Sequence, residues 1–224
     1  MDHSVQAVPV IALDGESGTG KGTTRSLVAK KLGFHELDSG VLYRLVALLS
    51  ILEGVRDNIG FVKLAKEMSV EMTGGQVTLN NQDVTEDIRT PEVDEVVPLV
   101  AKVEEVRLAL RDVQLNKRIL PGLVADGRDM GEIFEGPLVA RFFIVTDIEE
   151  RARRRVEQFR LKGTTLEFEA VLSAMRRRDE LDKTRTTSPL VMHPEAVLIN
   201  TTSIPRDVVA EMVVQRYHEM LLCA

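Results

Sequence analysis

A glycine-rich stretch follows the apolar run at residues 8–13 and has the sequence Gly15-Glu16-Ser17-Gly18-Thr19-Gly20-Lys21-Gly22-Thr23. This order predicts a buried strand, a tight turn and a helix that begins near Lys21. Glycines allow such a turn to point its backbone N–H groups inward around an anion, and the helix N-terminus adds positive potential. The Lys21 ammonium can reach the β- and γ-phosphates of a nucleotide from this position. The stretch therefore predicts a phosphate-binding loop.

The end of this loop departs from the general phosphate-loop pattern. Gly22 stands where most such loops carry the Ser or Thr that binds magnesium, and Thr23 comes one residue later. The Lys-Gly-Thr ending indicates a small-molecule kinase rather than a GTPase or a motor ATPase. A GTPase also needs an Asn-Lys-x-Asp motif to bind guanine, but the Asn116-Lys117 pair is followed by Arg118-Ile119. A GTPase or a nucleotide-gated binding module is therefore a poor match.

Composition excludes several other classes of protein. The 44% hydrophobic content is ample for a core, and a net charge of -6 argues against a general nucleic-acid-binding surface. No run approaches the roughly 18 apolar residues of a membrane span. The single cysteine, Cys223, can close no internal disulfide, and the segment after Asp2 lacks the pattern of an export signal. We expect a cytoplasmic monomer without a nucleic-acid or membrane partner.

Apolar runs that alternate with helical patterns predict the fold class α/β, with a central parallel sheet flanked by helices. The predicted strands lie at residues 8–13, 34–37, 123–125, 139–145 and 196–199. Residues 70–84 differ, because short alternating runs are broken by Gly74-Gly75 and Asn80-Asn81. We expect a small antiparallel insert there. Thr90-Pro91 is typical of a helix start and predicts one long helix towards Asn116.

Polar clusters follow two further predicted strands, Asp38-Ser39-Gly40 and the run Asp126-Gly127-Arg128-Asp129-Met130-Gly131. In a parallel sheet these strand ends lie near the phosphate loop. An aspartate placed as Asp126 is can hold magnesium, directly or through water. An isolated Asp-Gly is more often a simple turn, but three polar strand ends together indicate a site.

Arginines are concentrated in the second half of this acidic chain, at positions 151, 153, 154, 155, 176, 177, 178 and 185. About half are expected on solvated helix faces beside glutamates and aspartates. The others can stabilise the charge that accumulates when two phosphate-bearing molecules meet, because guanidinium groups bind phosphate in a bidentate manner. Such a transfer needs no protein base, since a nucleoside monophosphate loses its second proton with a pKa of about 6.

Together these residues resemble the bacterial cytidylate kinases, a family of nucleoside monophosphate kinases. The resemblance extends over nearly the whole chain, and its motifs are Gly15–Thr23, Leu37-Asp38-Ser39-Gly40, Tyr43-Arg44, Ile88-Arg89-Thr90, Pro121-Gly122-Leu123, Asp126–Gly131, Arg178-Asp179, Asp182 and Arg185. It implies transfer of the γ-phosphoryl group of ATP to CMP or dCMP, with Mg²⁺ as cofactor. It also implies a P-loop core at residues 1–38 and 118–224, with a short lid near 151–165. Residues 39–117 would be the monophosphate-binding region, with its small insert near 70–85.

The resemblance also implies roles for individual residues. The ATP phosphates would be bound by Gly15, Ser17, Gly18, Gly20, Lys21, Gly22 and Thr23. The acceptor would be bound by Ser39, Arg44, Arg107, Arg128, Asp129, Arg178, Asp182 and Arg185, and Asp129, Arg107 and Arg185 would contact the cytosine. Asp126 would orient magnesium, through water. The catalytic residues would be Lys21, Arg128, Arg151 and Arg154, the last two in the lid.

One position departs from the family pattern. Pro98 stands where the family commonly has a serine that touches the base, and proline has neither a hydroxyl nor an N–H for that contact. This leaves room for weaker discrimination between cytosine and uracil, or for a compensating water. The nearest alternative is a P-loop kinase that acts on a sugar or a shikimate-like acid, but such an enzyme has no reason to combine Arg107, Asp129 and Arg185.

Overall fold

The computed structural model describes residues 8–161 and 163–222, so Asp2 and Cys223 lie outside the described part. The chain divides into two compact units, Met1–Asp38 with Lys117–Ala224, and Ser39–Asn116. In chain order the elements are β1 (Val10–Gly15), α1 (Lys21–Leu32), β2 (His35–Asp38), α2 (Ser39–Leu52), α3 (Asn58–Glu67), β3 (Val70–Thr73), β4 (Gln76–Leu79), β5 (Gln82–Asp83), α4 (Pro91–Ala101), α5 (Glu104–Leu115), β6 (Leu123–Gly127), α6 (Met130–Ile133), β7 (Val139–Val145), α7 (Ile148–Leu161), α8 (Phe168–Thr184), β8 (Val197–Asn200) and α9 (Arg206–Leu222). A 3₁₀ turn at Asp87–Arg89 precedes α4.

A five-stranded sheet in the order β2-β6-β1-β7-β8 forms the centre of the first unit. All neighbouring strands are parallel, which confirms the predicted α/β fold. The three central strands β1, β6 and β7 are mostly apolar because helices cover the sheet, and Ile11, Leu13, Phe142 and Ile144 are almost completely buried, whereas the edge strand β2 exposes His35 and Glu36. The register pairs Asp14 with Gly127 and Asp38 with Asp126. The polar ends of β1, β2 and β6 therefore meet at one edge of the sheet.

The second unit contains α2 to α5 and a separate three-stranded antiparallel sheet, β3-β4-β5. This sheet confirms the antiparallel structure predicted for residues 70–84. Asn80 and Asn81 have φ of 48° and 66° at the turn between β4 and β5, the left-handed region that asparagine tolerates. Leu45, Phe61 and Val106 lie in the buried core of this unit.

The prediction of one long helix from Thr90-Pro91 to Asn116 is wrong, because the structure has two helices, α4 and α5. Thr90 does cap α4, since its hydroxyl accepts a hydrogen bond from Val93 N at 3.4 Å. The helix ends at Ala101, and Val103 then adopts an extended conformation (ψ 114°). The guanidinium of Arg107 donates to Ala101 O at 3.2 Å, which satisfies a carbonyl at the helix end. Pro98 is tolerated inside α4.

Within residues 8–161 and 163–222, no helix combines the length and the apolar character that a membrane crossing requires.

Candidate active site

The phosphate loop joins β1 to α1, and two of its glycines, Gly15 and Gly20, have backbone conformations that other residues rarely adopt. Gly15 has φ of 148°, and a Cβ there would lie 2.1 Å from Ile144 O. Gly20 has φ of 93° and is the residue before the first turn of α1. At Gly22, in contrast, a Cβ would meet nothing within 4 Å. There is therefore room at position 22 for the Ser or Thr that binds magnesium in most phosphate loops, although this chain has glycine there.

Lys21 is the buried cation of this loop. Its Nζ donates to Glu16 O at 2.6 Å and to Thr19 Oγ1 at 3.2 Å, and the residue is only 5% exposed. Burial, together with the neighbouring Arg128 cation, lowers the pKa of the ammonium to about 7. An incoming phosphate anion would favour the charged form of Lys21, so ligand binding and protonation of this side chain support each other.

A cluster of two carboxylates and one guanidinium lies beside the loop, at the ends of β2 and β6. Arg25, one turn after Lys21 on α1, contacts Asp126 Oδ1 and lies 3.3 Å from Asp38 Oδ2. Burial raises the pKa of the Asp126 carboxyl to about 6, and the nearby Asp38 acts in the same direction. Asp126 is thus a largely buried hard oxygen donor, with 11% of its side chain exposed, whereas Asp38 keeps 38% of its side chain exposed. A divalent cation would be stabilised there.

Asp14, the last side chain of β1 before the loop, holds the segment that follows β6. Its Oδ1 and Oδ2 accept hydrogen bonds from Met130 N and Gly131 N, both at 2.8 Å. Arg141 supports the same segment by donating from Nε to Gly131 O at 2.8 Å. The position of the preceding Arg128-Asp129 pair is therefore set by a buried carboxylate of β1.

Asp14 predicts an unusual dependence of stability on pH. Burial raises the pKa of its carboxyl from its ordinary value of 3.8 to about 7 and outweighs the two N–H donors, which lower the pKa. Between pH 4 and 7 the folded protein therefore binds a proton that the unfolded chain has released, so ionisation of Asp14 costs stability as the pH rises. We expect the free energy of unfolding of wild type, relative to Asp14→Asn, to decrease from pH 4 to pH 7.

Denaturant unfolding of both proteins at several pH values measures this difference. If the free energies of unfolding of the two proteins changed in parallel from pH 4 to pH 7, the two N–H donors would be keeping the Asp14 carboxylate ionised over that range.

Two arginines of α7 lie near the phosphate loop, but in different environments. Arg151 is 2% exposed and donates to Ser17 O at 3.0 Å, Thr146 O at 3.1 Å and Asp179 Oδ2 at 2.7 Å. Arg154 is paired with Glu150 at 2.9 Å and keeps 22% of its side chain exposed. A Cβ on Gly20 would lie 3.9 Å from Arg154 Nη1. Arg151 thus holds the loop, whereas Arg154 lies at its edge with a more accessible guanidinium.

The predicted acceptor residues of the first unit are joined by ion pairs. Arg128 Nε donates to Asp182 Oδ2 at 2.8 Å, and Arg185 Nη1 lies 3.7 Å from Asp182 Oδ1. Burial alone would raise the pKa of the Asp182 carboxyl, but the cations of Arg128 and Arg178 outweigh it and hold the pKa below its ordinary value. Asp129 is buried at the start of α6. The structure therefore brings a group of cations and carboxylates to this edge of the sheet.

The remaining predicted residues belong to the second unit. Ser39 is buried at the first position of α2. Arg44 donates to Ile88 O at 2.8 Å and to Asp94 Oδ1 at 2.5 Å. The guanidinium of Arg107 lies 5.4 Å from the centroid of the Tyr43 ring, a distance that allows a cation–π contact. Both arginines are held in fixed positions by their neighbours within the unit.

Sequence reasoning did not identify Asp14, Arg25 and Asp94 as residues of the site. Two of these residues could have been recognised from the sequence. Asp14 is the one charged residue at the end of an apolar strand, and Arg25 follows Lys21 by four residues, which places both on one helix face. Asp94 carries no comparable signal, because its partner Arg44 is 50 residues away.

Comparison with known proteins identifies the family. The family model for cytidylate kinase matches residues 11–219. The chain belongs to the cytidylate kinase family. A cytidylate kinase of Nitrosomonas eutropha is 41% identical over 214 residues, which cover 95% of this chain and 96% of the relative. Cytidylate kinases of Paraburkholderia phytofirmans and of Caldanaerobacter subterraneus subsp. tengcongensis are 40% and 38% identical, over 95% and 94% of this chain and 94% and 93% of their own length.

Solved structures agree in fold with this cytidylate kinase family member. The alignment with a gluconokinase from Sinorhizobium meliloti covers 95% of this chain and 93% of the gluconokinase chain, with a TM-score of 0.51 and 13% identity. The alignment with an uncharacterized protein from Eubacterium ventriosum covers 94% of this chain and 98% of that protein's chain, with a TM-score of 0.54 and 15% identity. At this identity the likeness concerns the fold alone, and it agrees with a central parallel sheet flanked by helices. The cytidylate kinase family itself confirms the expectation of a phosphotransferase.

Proposed function

We propose that this protein transfers the γ-phosphoryl group of ATP to CMP or dCMP and releases ADP and the nucleoside diphosphate. The observation that carries the proposal is the first unit's arrangement around Lys21. The register pairs Asp14, the residue before the loop, with Gly127 of β6, so Arg128 lies at the strand end where the loop begins. Its cation acts on the Lys21 ammonium, and its guanidinium is bonded to Asp182. A phosphate-loop cation is thus adjacent to residues that the family resemblance assigns to the acceptor. The proposal includes a cytoplasmic monomer.

The chemistry requires an in-line transfer between two phosphates. A phosphate oxygen of CMP forms the new bond to the γ-phosphorus, while the bond from that phosphorus to the β,γ-bridging oxygen breaks and its electron pair leaves with ADP. The acceptor is already a dianion near neutral pH, because its second pKa is about 6. No protein base has to remove a proton. The residues of the site act instead by positioning both phosphates and by stabilising the charge that is shared between them.

On the donor side, the backbone of the phosphate loop and Lys21 would bind the β- and γ-phosphates. Arg154 would contact the transferring group, since it lies beside Gly20 and keeps part of its guanidinium accessible. Arg151 would act mainly through the loop, because its donors are already used by Ser17, Thr146 and Asp179. A lid that includes α7 would exclude water, which otherwise could hydrolyse ATP.

On the acceptor side, the guanidinium of Arg128 would bind the phosphate of CMP, and Arg178 and Asp182 would bind its phosphate and ribose. Asp129 is proposed to accept a hydrogen bond from the amino group of cytosine. The remaining acceptor contacts are assigned to Ser39, Arg44, Arg107 and Arg185. These assignments rest on the match to the family motifs and on the placement of each residue in its own unit.

The residues at the ends of β2 and β6 fit a magnesium ion that is bound with the nucleotide. Asp126 offers a desolvated carboxylate, the donor type that Mg²⁺ prefers. The guanidinium of Arg25 already occupies Oδ1 of this carboxylate, which supports contact through a water rather than directly. When bound, the ion would neutralise charge on the β- and γ-phosphates. Asp126 would orient it, and Lys21 would complete the set of cations around the donor phosphates.

Asp126→Asn is expected to raise the Mg²⁺ concentration that gives half-maximal activity by roughly ten-fold, because a residue that orients the ion's ligands typically has an effect of 10- to 100-fold. The initial rate is measured against free Mg²⁺ at saturating nucleotides. Glu36→Gln is the matched control, because it removes another carboxylate that Arg25 contacts, at 3.0 Å, without touching the loop. Equal Mg²⁺ dependence in wild type and Asp126→Asn would contradict the assignment.

The proposed reaction is tested by coupled detection of ADP with ATP as donor and CMP, dCMP, UMP or AMP as acceptor. The two cytidine nucleotides are expected to be the preferred acceptors. Strong turnover of AMP, or of gluconate or shikimate as non-nucleotide acceptors, would reject the proposal. Size-exclusion chromatography with light scattering measures the oligomeric state in the same preparation.

A further inference from the structure

Glu16 places a carboxylate inside the phosphate loop, and this carboxylate is bound by cations from two helices. Its Oε1 lies 2.6 Å from Lys183 Nζ on α8, and its Oε2 lies 3.3 Å from Arg151 Nη2 on α7. The Glu16 side chain is 13% exposed. Its backbone carbonyl also accepts the hydrogen bond from Lys21. Glu16 therefore connects the loop that would bind the donor to two helices outside it.

The last turns of α8 carry a second set of connections. Asp179 is bonded to Arg151 of α7 at 2.7 Å, and Asp182 to Arg128 of the segment after β6 at 2.8 Å. Lys183 follows directly and reaches Glu16 of the phosphate loop. Within the described residues, successive charged side chains of one helix end thus contact three different elements, each of which contributes residues to the proposed site.

We propose that Glu16 is a positioning residue that, through Lys183, fixes the end of α8 against the phosphate loop and so sets the position of the residues that bind the acceptor. This inference rests on the proposed function. It adds a role for a loop side chain that touches neither the acceptor nor the transferring phosphoryl group. Asp182 is adjacent to Lys183 in the chain, so a shift of this helix end would move the carboxylate that orients Arg128.

Charge and burial explain why this contact holds a defined geometry. Most exposed ion pairs contribute little, because solvent screens them and both side chains lose freedom. Here one partner is largely buried, and the hydrogen bond from Lys183 to Glu16 raises the pKa of the ammonium. The other partner, Lys183, keeps 51% of its side chain accessible. Substitution of Lys183 therefore removes the link without opening a cavity.

The test is a double-mutant cycle read as the Kd of CMP, measured by calorimetry without a phosphate donor. Glu16→Gln and Lys183→Met are each expected to weaken CMP binding about five-fold, the scale of one partly exposed ion pair. The double variant should be no weaker than Glu16→Gln alone, because Lys183 acts through Glu16, whereas Glu16→Gln also removes the 3.3 Å contact with Arg151. Lys183→Arg should retain wild-type affinity. Lys31→Met, which breaks the exposed pair with Glu211 at 3.3 Å, is the matched control and should have no effect.

An unchanged Kd in Glu16→Gln, or effects that multiply to about 25-fold in the double variant, would overturn the proposed link. Independent, multiplying effects would indicate that Lys183 contacts CMP itself. A lowered melting temperature with an unchanged Kd of CMP in these variants would also reject the proposed link, since a merely structural role of Glu16 predicts that result. Failure of the wild-type protein to bind CMP would instead reject the proposed function, and the two failures are therefore distinguishable.

Discussion

Lys21→Met is expected to lower kcat by roughly 10²- to 10³-fold, the cost typical of losing one charged group that stabilises a transition state. The ammonium is held in the loop by Glu16 O and Thr19 Oγ1, so little reorganisation is needed when phosphate binds. Methionine keeps the length and the apolar part of the side chain but cannot donate to an oxygen. Steady-state and single-turnover rates with ATP and CMP measure the loss.

The fold of this variant should be retained, because the substitution removes a buried cation rather than a packed apolar group. Lys31→Met, at the exposed end of the same helix, is the matched control and should keep wild-type kcat. If Lys21→Met turned over at the wild-type rate, the phosphate-binding role of this residue would be wrong.

Arg128→Gln is expected to produce the second large effect, a decrease of kcat/KM for CMP by about 100-fold or more. A guanidinium forms two parallel charge-assisted hydrogen bonds to a phosphate, and glutamine supplies neither the charge nor the paired geometry. The change also leaves Asp182 without its 2.8 Å partner, so stability should fall, but by less than the roughly 3–5 kcal/mol of an uncompensated buried charge, because Arg185 still lies 3.7 Å from Asp182. Arg128→Lys keeps the positive charge beside Asp182, so it separates the loss of kcat/KM for CMP from the loss of stability.

For Arg128→Lys we expect a folded protein whose KM for CMP is raised while its Kd for ATP is unchanged. Arg216→Met is the matched control, because Arg216 forms an exposed pair with Glu219 on α9 and has no proposed role. Equal losses for ATP and CMP in Arg128→Lys would contradict an acceptor role for this residue.

The sequence predicted the parts of the fold that depend on local order. The phosphate loop could be predicted because glycines at fixed spacing between an apolar strand and a helix have few alternative conformations. The antiparallel sheet at β3–β5 was predictable for a similar reason, since Gly and Asn pairs mark its turns. The two helices α4 and α5 were not separated, because the break between them lies at Lys102-Val103, where the extended Val103 is marked by neither glycine nor proline.

The family and the identity of the motif residues were determined by the sequence alone. Only the tertiary structure decided which charged groups neutralise one another. Arg151 and Arg154 are equivalent in sequence terms, yet one is buried with its donors used and the other remains accessible beside Gly20. Asp14 and Glu16 acquire their roles from partners more than a hundred residues away, Met130 and Lys183. Electrostatic energy depends on distance and burial, which local sequence patterns do not contain.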